Sequence, residues 1–384
     1  MASRRTAVRN KANARTVPET TRKGNSVILG GMMTKTLSTF LLTLVISLPA
    51  VAAPTADDLI NGWQQHQQTG FTGNRVQDLQ RGDLKLHLTG KVVYQDPSNF
   101  QIRITQPAGM ASMELALRNN KSQFFFPEER LHFDNDNPAA REYAEGILSH
   151  LTDRPDLLKR NYSLMVMGDD ITALTPTVIL DAVPNNGYRT PGRRFWISKR
   201  TFQILREERR WTSNADPYFT SYYTDFNVDP KAAPKLPDST GWRRMILRAG
   251  TTNFYNWFPN MGELTKSTGK TILQPYYTPA GFELADVSSG SFYGTVIQSM
   301  RYTDGLNNLW VMIRPNTNVF VGLIAGQYSL SLMKRFQDIV FNLPYNYNMQ
   351  ETNGTWVYAY GDLYPEDLLA VGRSVRLPDA PPKP

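Results

Sequence analysis

The stretch from Leu84 to Phe133 alternates apolar with polar residues and is interrupted repeatedly by residues that form turns. It contains five short alternating runs, separated by glycine, proline and asparagine. A period of two with this punctuation is typical of antiparallel strands in a meander with one covered face. Such a sheet must bury its apolar face against a second layer or against a ligand, so the function depends on which of the two is present.

The length and composition favour a globular protein of two domains, or of three small ones. The chain has 384 residues, of which 41% are hydrophobic and 11% aromatic, enough to bury a core. The net charge is +8, but residues 1–52 hold eight basic residues against one acid and so account for +7. The remainder is close to neutral, which gives no indication of a nucleic-acid surface.

The N-terminal segment, residues 1–52, reads as a leader that ends in a secretory signal. Residues 36–55 carry no charge, Leu37–Leu48 is a short apolar run behind Lys35, and Ala50–Ala52 offers small residues for cleavage. We predict an exported, periplasmic product that begins at about Ala53; the alternative is an uncleaved membrane anchor, for which the run is short. Residues 1–31 precede a second possible start. The sequence leaves open whether they are translated.

The chain has no cysteine. This excludes disulfides, thiolate metal sites and a lipid-modified cysteine after the cleavage site.

The rest of the chain divides into two predicted units of strands with few helices. Residues 53–228 begin with a helix over Ala56–Gln68 capped by Thr55, and 229–241 are rich in proline and small polar residues, as in a linker. Residues 242–377 form the second unit, and 378–384 are a disordered tail. The further predicted helices are Asn137–Arg160, broken before Pro155, and Pro365–Arg373; the later strands are Tyr162–Met167, Val178–Ala182, Arg194–Ser198, Ile204–Trp211, Tyr218–Phe226, Phe282–Leu284, Gly294–Tyr302, Leu309–Arg314 and Thr355–Tyr360.

No pattern of residues predicts catalysis, a cofactor or a metal. The four histidines (His66, His87, His132 and His150) do not have metal-ligand spacing, and no nucleophile elbow, phosphate loop or dinucleotide motif is present. The sequence therefore predicts a protein that is not an enzyme. The charge run Arg206–Arg210 is interpreted as the solvated face of a strand rather than a binding patch.

Aromatic and aliphatic residues are abundant on the predicted strands, and at Phe124–Phe126 and Tyr218–Tyr223 they occupy both strand faces. A plain two-layer core explains this pattern, and so does a cavity for acyl chains or an apolar peptide. If a cavity exists, the alternation along the strands predicts which residues line it. A register error of one residue would exchange the two faces of a strand and so change the predicted set. The candidate ligand-binding residues are Phe100, Ile102, Ile104, Met113, Leu115, Leu117, Phe195 and Ile197.

Several stretches resemble known periplasmic proteins. GKVVYQDPSNFQIRITQP at 90–107, FFFPEE at 124–129 and FWISKRTFQILREERRW at 195–211 resemble the lipoprotein-carrier fold of LolA and LolB. TPAGFEL at 278–284, MRYTDGLNNLWVMIRP at 300–315 and WVYAYGDLYPEDLLAVGRSV at 356–375 resemble the C-terminal domain of the sigma-E regulatory proteins RseB and MucB.

The resemblance implies an α+β fold, with an open antiparallel β-barrel wrapped on helices and a smaller C-terminal α+β domain. It also implies a regulator that senses lipid or lipoprotein acyl chains and binds the periplasmic domain of a membrane anti-sigma factor. The alternative is a lipoprotein or lipid carrier in outer-membrane trafficking, and an exported hydrolase is disfavoured because no catalytic grouping is present. The sequence leaves open the ligand, the partner surface and whether the protein forms a homo-oligomer.

Overall fold

The structure, a computed structural model, describes residues 53–105, 112–118, 121–135, 148–185, 187–247, 256–292, 295–315, 346–352 and 354–377. Twelve strands form a first sheet: β1 Phe71–Arg81, β2 Leu84–Asp96, β3 Asn99–Thr105, β4 Met113–Arg118, β5 Lys121–Phe126, β6 Leu131–Asn135, β7 Tyr162–Thr172, β8 Thr175–Pro184, β9 Gly192–Ser198, β10 Ile204–Arg210, β11 Phe219–Val228 and β12 Arg243–Leu247. Their order is β12-β6-β5-β4-β3-β2-β1-β11-β10-β9-β8-β7, and every pair is antiparallel except β6 with β12.

The second half of the chain contributes β13 Asn256–Phe258, β14 Gln274–Pro275, β15 Glu283–Phe292, β16 Thr295–Thr303, β17 Asn308–Pro315, β18 Asn346–Thr352, β19 Thr355–Gly361 and β20 Val375–Arg376. Six of them form a second sheet in the order β13-β15-β16-β17-β19-β18, and β14 pairs with β20. The helices are α1 Ala56–Gln65, α2 Pro155–Asn161, α3 Met261–Thr268 and α4 Pro365–Arg373. The predicted α+β class with a large open antiparallel sheet is confirmed.

Helix α1 forms where the sequence places a cap and an apolar stripe. The Thr55 hydroxyl accepts from the Asp58 amide at 3.2 Å, and the Asp58 carboxylate accepts from the Thr55 amide at 2.8 Å, which is a capping box. Leu59, Ile60 and Trp63 are buried on one side of the helix. The helix ends at Gln65 rather than at the predicted Gln68. At this end, the His66 side chain hydrogen bonds to the Gly62 carbonyl oxygen.

The predicted meander is confirmed with one correction. Gly90 was expected to separate two runs, but β2 continues through it from Leu84 to Asp96. A Cβ at Gly90 would lie 3.1 Å from the Arg103 carbonyl oxygen. The glycine therefore allows β2 and β3 to approach each other closely, and it does not interrupt the strand.

The helix predicted over Asn137–Arg160 is only partly found. Residues 136–147 lie outside the described ranges, 148–154 are not helical, and α2 begins at Pro155. The residue before a proline is pushed out of the helical region, which explains why Arg154 lies outside α2. Gly322–Phe341, ambiguous in the sequence, also lies outside the described ranges.

The two sheets meet through the turn Asp304–Asn307, between β16 and β17. Leu306 packs in the same core cluster as Leu59, Ile60 and Trp63 of α1. Gly305 has φ +97°, and a Cβ there would lie 2.2 Å from the amide nitrogen of Leu158 in α2. This turn therefore connects the second sheet to helices α1 and α2.

The predicted linker and domain boundary stay predictions. Residues 243–247, beyond the predicted linker, form β12 at the edge of the first sheet, and the Lys235 amide donates to the Gln101 side chain at 3.0 Å. None of the helices in the described part of the chain is long and apolar enough to cross a membrane.

Candidate functional site

A cavity of about 310 Å³ lies between the end of α1, the ends of β1, β2, β3, β10 and β11, and the extended segment before α2. This volume is at the lower end of the range usual for small-molecule sites. One side of the cavity is aromatic and is lined by Trp63, Phe71, Tyr94, Phe100 and Tyr223. Phe71 stacks on Tyr94 with ring centroids 4.8 Å apart, which fixes both rings.

A polar part of the lining comes from Ser149, His150, Thr152 and Asp153. We call residues 149–153 the wall segment. His150 Nε2 lies 3.0 Å from Asp153 Oδ1, within ion-pair distance, and the His150 ring meets the Trp63 ring edge-to-face with centroids 4.7 Å apart. Burial opposes the ionisation of Asp153, but the hydrogen bond from His150 and the charges of His150 and Arg301 lower its pKa below the ordinary value. The cavity is therefore amphipathic and suits a ligand with an apolar body and hydrogen-bonding groups.

Arg75 supports the aromatic side and the wall segment together. Its Nε donates to the Ser221 hydroxyl at 2.6 Å, its Nη2 donates to the Ser149 hydroxyl at 3.1 Å, and its guanidinium lies 5.9 Å from the Tyr223 ring centroid. Burial lowers the pKa of Arg75, while the charges of Tyr223 and Glu207 partly offset this effect. This buried cation holds the wall segment against β11.

A second polar cluster, the junction cluster, joins the sheets away from the cavity. It consists of Asn161, Tyr162, Arg193, Glu207, Arg209, Tyr218, Asp304, Asn307 and Asp362. Arg209 donates to Glu207 at 2.7 Å and to Asp362 at 2.8 Å, and Tyr162 donates to Asp304 at 2.6 Å. Glu207 and Asp362 are paired with Arg193 and Arg209, whereas the buried Asp304 carboxylate is held by neutral donors, the Tyr162 hydroxyl and the amides of Leu306 and Asn307.

The interpretation of Arg206–Arg210 as a solvated strand face was wrong. Glu207, Glu208 and Arg209 are buried in the structure. Although burial would raise the pKa of Glu207, the charges of Arg209 and Arg193 lower it to about 2. Alternation along one strand could not reveal this, because the partners include Arg193 on the neighbouring strand β9 and Asp362, which is more than a hundred residues away in the chain.

The eight predicted lining residues do not form one site. Phe100, Ile102 and Ile104 of β3 face Leu117, Leu115 and Met113 of β4 in register, and all six share one core cluster. Phe195 and Ile197 lie in the other cluster, which packs against α1. Phe100 contributes to the cavity, and the other seven are not among its described lining residues. Their role in ligand binding stays a prediction.

Sequence reasoning missed the wall segment and Trp63. The wall segment was taken for helix, although its polar composition and the following proline were a signal against helix. Trp63 was assigned only to the buried stripe of α1, and its position at the end of that stripe gives it a face toward the cavity as well. Within the described ranges, no group of His, Asp and Glu side chains could hold a metal ion.

Comparison with known proteins shows the fold. No protein-family profile matches the sequence, and no curated protein does either. The crystal structure of MucB matches over 84% of this chain and 98% of MucB, with a TM-score of 0.50 and 17% identity. At this identity the likeness shows the fold alone, and it confirms the MucB-like fold expected from the motifs.

Two further structures are similar at lower scores. The complex of MucA and MucB from Pseudomonas aeruginosa matches over 84% of this chain and 99% of that chain, with a TM-score of 0.46 and 17% identity. A LolA superfamily protein from Nitrosomonas europaea matches over 50% of this chain and 99% of its own, with a TM-score of 0.22 and 13% identity.

Proposed function

We propose that this protein is an exported, non-catalytic binding protein that takes up a lipid or a lipoprotein acyl chain in its first sheet. The observation that carries the proposal is the cavity of about 310 Å³ beneath the end of α1. Its aromatic side would bury an acyl chain, and its polar wall segment would contact the ester or amide groups that link acyl chains to their carriers. The uncharged run before Ala53 supports export to the periplasm.

We also propose a regulatory partner, the periplasmic domain of a membrane anti-sigma factor. Support comes from the motifs in residues 278–375 and from the fold shared with MucB. In this proposal the second sheet belongs to the function, because the junction cluster makes it an integral part of the protein. A lipoprotein carrier, the alternative function, would have no need for that sheet.

Native mass spectrometry with lipid extraction tests the ligand. The full chain is produced in a bacterial host and recovered from the periplasm, so that the intact mass also locates the mature N-terminus. We expect a start at about Ala53 and a phospholipid or acylated species bound at about one per chain. An apo mass, with no uptake of added fatty acid or lipopeptide, would refute ligand binding and identify the cavity as unoccupied packing space.

Affinity measurement tests the partner. The purified protein is titrated with the periplasmic domain of the anti-sigma factor encoded near its gene, with and without saturating lipopeptide. The proposal expects a complex whose affinity changes when the lipopeptide is bound. Absence of any complex would remove the regulatory role and leave a lipid-binding protein.

A further inference from the structure

The wall segment of the cavity is held from the second sheet at its Asp153 end. Arg301 of β16 places Nη1 3.6 Å from the Asp153 Oδ2, and its Nη2 lies 2.6 Å from Asp286 Oδ2 on β15. The other oxygen of the Asp153 carboxylate lies within ion-pair distance of His150. Arg301 is not among the described lining residues of the cavity, and Asp153 and His150 connect it to a ligand bound there.

The wall segment is also held at its Ser149 end, through the junction cluster. The Ser149 hydroxyl accepts from Arg75 Nη2 at 3.1 Å, and the buried Arg75 cation is attracted to the Glu207 carboxylate. Glu207 Oε1 in turn accepts from Arg193 at 3.1 Å and from Arg209 at 2.7 Å. Both arginines reach Asp362 Oδ2, at 3.5 and 2.8 Å, directly after β19. The Glu207 and Asp362 side chains are each 1% exposed, so water does not screen this connection.

We propose that the second sheet positions the wall segment through Arg301 and Asp362, so that ligand binding and the conformation of the second sheet are coupled. The inference rests on the proposed function, because it concerns the same cavity. A ligand that displaces or orders His150 and Asp153 changes their contact with Arg301, and through it the pairing of β15 with β16. Coupling of this kind is reciprocal: a change in the second sheet alters ligand affinity by the same factor.

Arg301 is the suitable residue to substitute, because its contacts can be changed without removing the buried charges of the junction cluster. Its side chain is 19% exposed and that of Asp153 is 58% exposed, which limits the strength of their pairing. We therefore expect Arg301→Gln to weaken binding by about three- to fivefold. Arg314 of β17 is a matched control, since it is another arginine of the second sheet, is buried, and donates to the Tyr358 hydroxyl at 2.6 Å.

The first experiment titrates the full protein with dansyl-undecanoic acid and measures the dissociation constant by fluorescence. We expect Arg301→Lys to bind within about twofold of the wild type, because it keeps the positive charge on which the half-exposed pairing with Asp153 depends. Arg314→Gln, which does not touch the wall segment contacts, should also bind within about twofold. The double variant Arg301→Gln/Asp286→Asn removes the carboxylate that the single variant would leave unpaired, and it should bind as weakly as the single variant. If the wild type binds no probe, the proposed function falls and the inference with it. If the wild type binds and Arg301→Gln matches it, the inference alone is overturned.

The second experiment measures hydrogen exchange with and without the saturating probe. The inference expects the probe to slow exchange at least about threefold in β15, β16 and the turn Asp304–Asn307, with little change in α3. Arg301→Gln should remove this protection from β15 and β16 even at saturation, an effect that general destabilisation would not confine to two strands. Equal exchange in those strands with and without bound probe would overturn the inference.

Discussion

The junction cluster and the cavity both place polar groups beside aromatic rings, but they differ in how these groups are paired and exposed. In the junction, Asn307, Asp304 and Asp362 are each at most 1% exposed. In the cavity, the side chains of His150 and Asp153 are 37% and 58% exposed. The junction holds two sheets in one arrangement, whereas the cavity keeps polar groups available for a ligand.

This difference has an energetic consequence. A buried charge without its partner costs several kcal/mol, so each junction residue depends on the others. A half-exposed pair is screened by water and contributes at most ~1 kcal/mol, so its geometry can change with a ligand. We therefore expect substitutions in the junction to affect mainly stability, and substitutions in the cavity to affect mainly binding.

The largest effect is expected at the inserted turn. Gly305→Ala would place a Cβ 2.2 Å from Leu158 N at a positive φ, and we expect it to lower the free energy of unfolding by at least ~3 kcal/mol. The control is Gly354→Ala, where φ is +69° but nothing lies within 4 Å, with an expected loss of about 1 kcal/mol. Urea denaturation of both variants measures the difference. Equal losses would show that backbone strain at a positive φ, and not the close approach of the new Cβ to Leu158, accounts for the effect.

The next effect is expected at Glu207, and it depends on pH. The folded-state pKa of about 2 lies below the ordinary value of 4.5, so this carboxylate contributes stability above pH 4.5 that is lost as the pH falls through about 2. Glu207→Gln should cost about 3 kcal/mol at pH 7. The difference in stability between this variant and the wild type should shrink as the pH falls from 4.5 to 2, and thermal unfolding measures it. The control is Glu366→Gln, at a side chain that is 59% exposed. It should change neither the stability at pH 7 nor the dependence of stability on pH.

A smaller effect separates the two aromatic environments. Phe100 and Phe195 are both fully buried, but Phe100 lines the cavity and Phe195 packs against α1. We expect each Phe→Leu substitution to cost about 1–2 kcal/mol. Phe100→Leu should change the dissociation constant of dansyl-undecanoic acid at least about threefold, and Phe195→Leu should leave it unchanged. A binding change in both variants, or in neither, would contradict the placement of the site.

The smallest effect is expected at an exposed ion pair between the same two parts of the protein. Arg160 Nη2 lies 2.6 Å from Glu283 Oε1, with side chains 53% and 44% exposed. Arg160→Ala should lower stability by at most about 0.5 kcal/mol, and the loss should vanish at high salt. Chemical denaturation at two salt concentrations measures it. A loss above ~2 kcal/mol would mean that the exposed contacts, and not only the buried ones, hold the sheets together.

Much of the local structure could be predicted from the sequence. The cap at Thr55, the alternation in β3 and β4 and the helix Pro365–Arg373 are encoded by residues close together in the chain, and the structure confirms them. β1 was missed because Phe71–Arg81 mixes charged and polar residues on both faces, and Arg75 and Gln77 are buried by distant parts of the chain. The cavity could not be located because its lining comes from α1, five strands and the wall segment.

The sequence by itself determined many of the elements and their alternation, because hydrophobic periodicity and caps act over a few residues, and the α+β class was implied by the family resemblance. Tertiary structure decided which charged residues are buried and where space is left for a ligand. Glu207 shows the reason: its neighbours in the chain predict a solvated face, and Asp362, 155 residues later, lies across the same two arginines and makes it part of a core. Burial of a charge depends on partners that only the folded chain brings together.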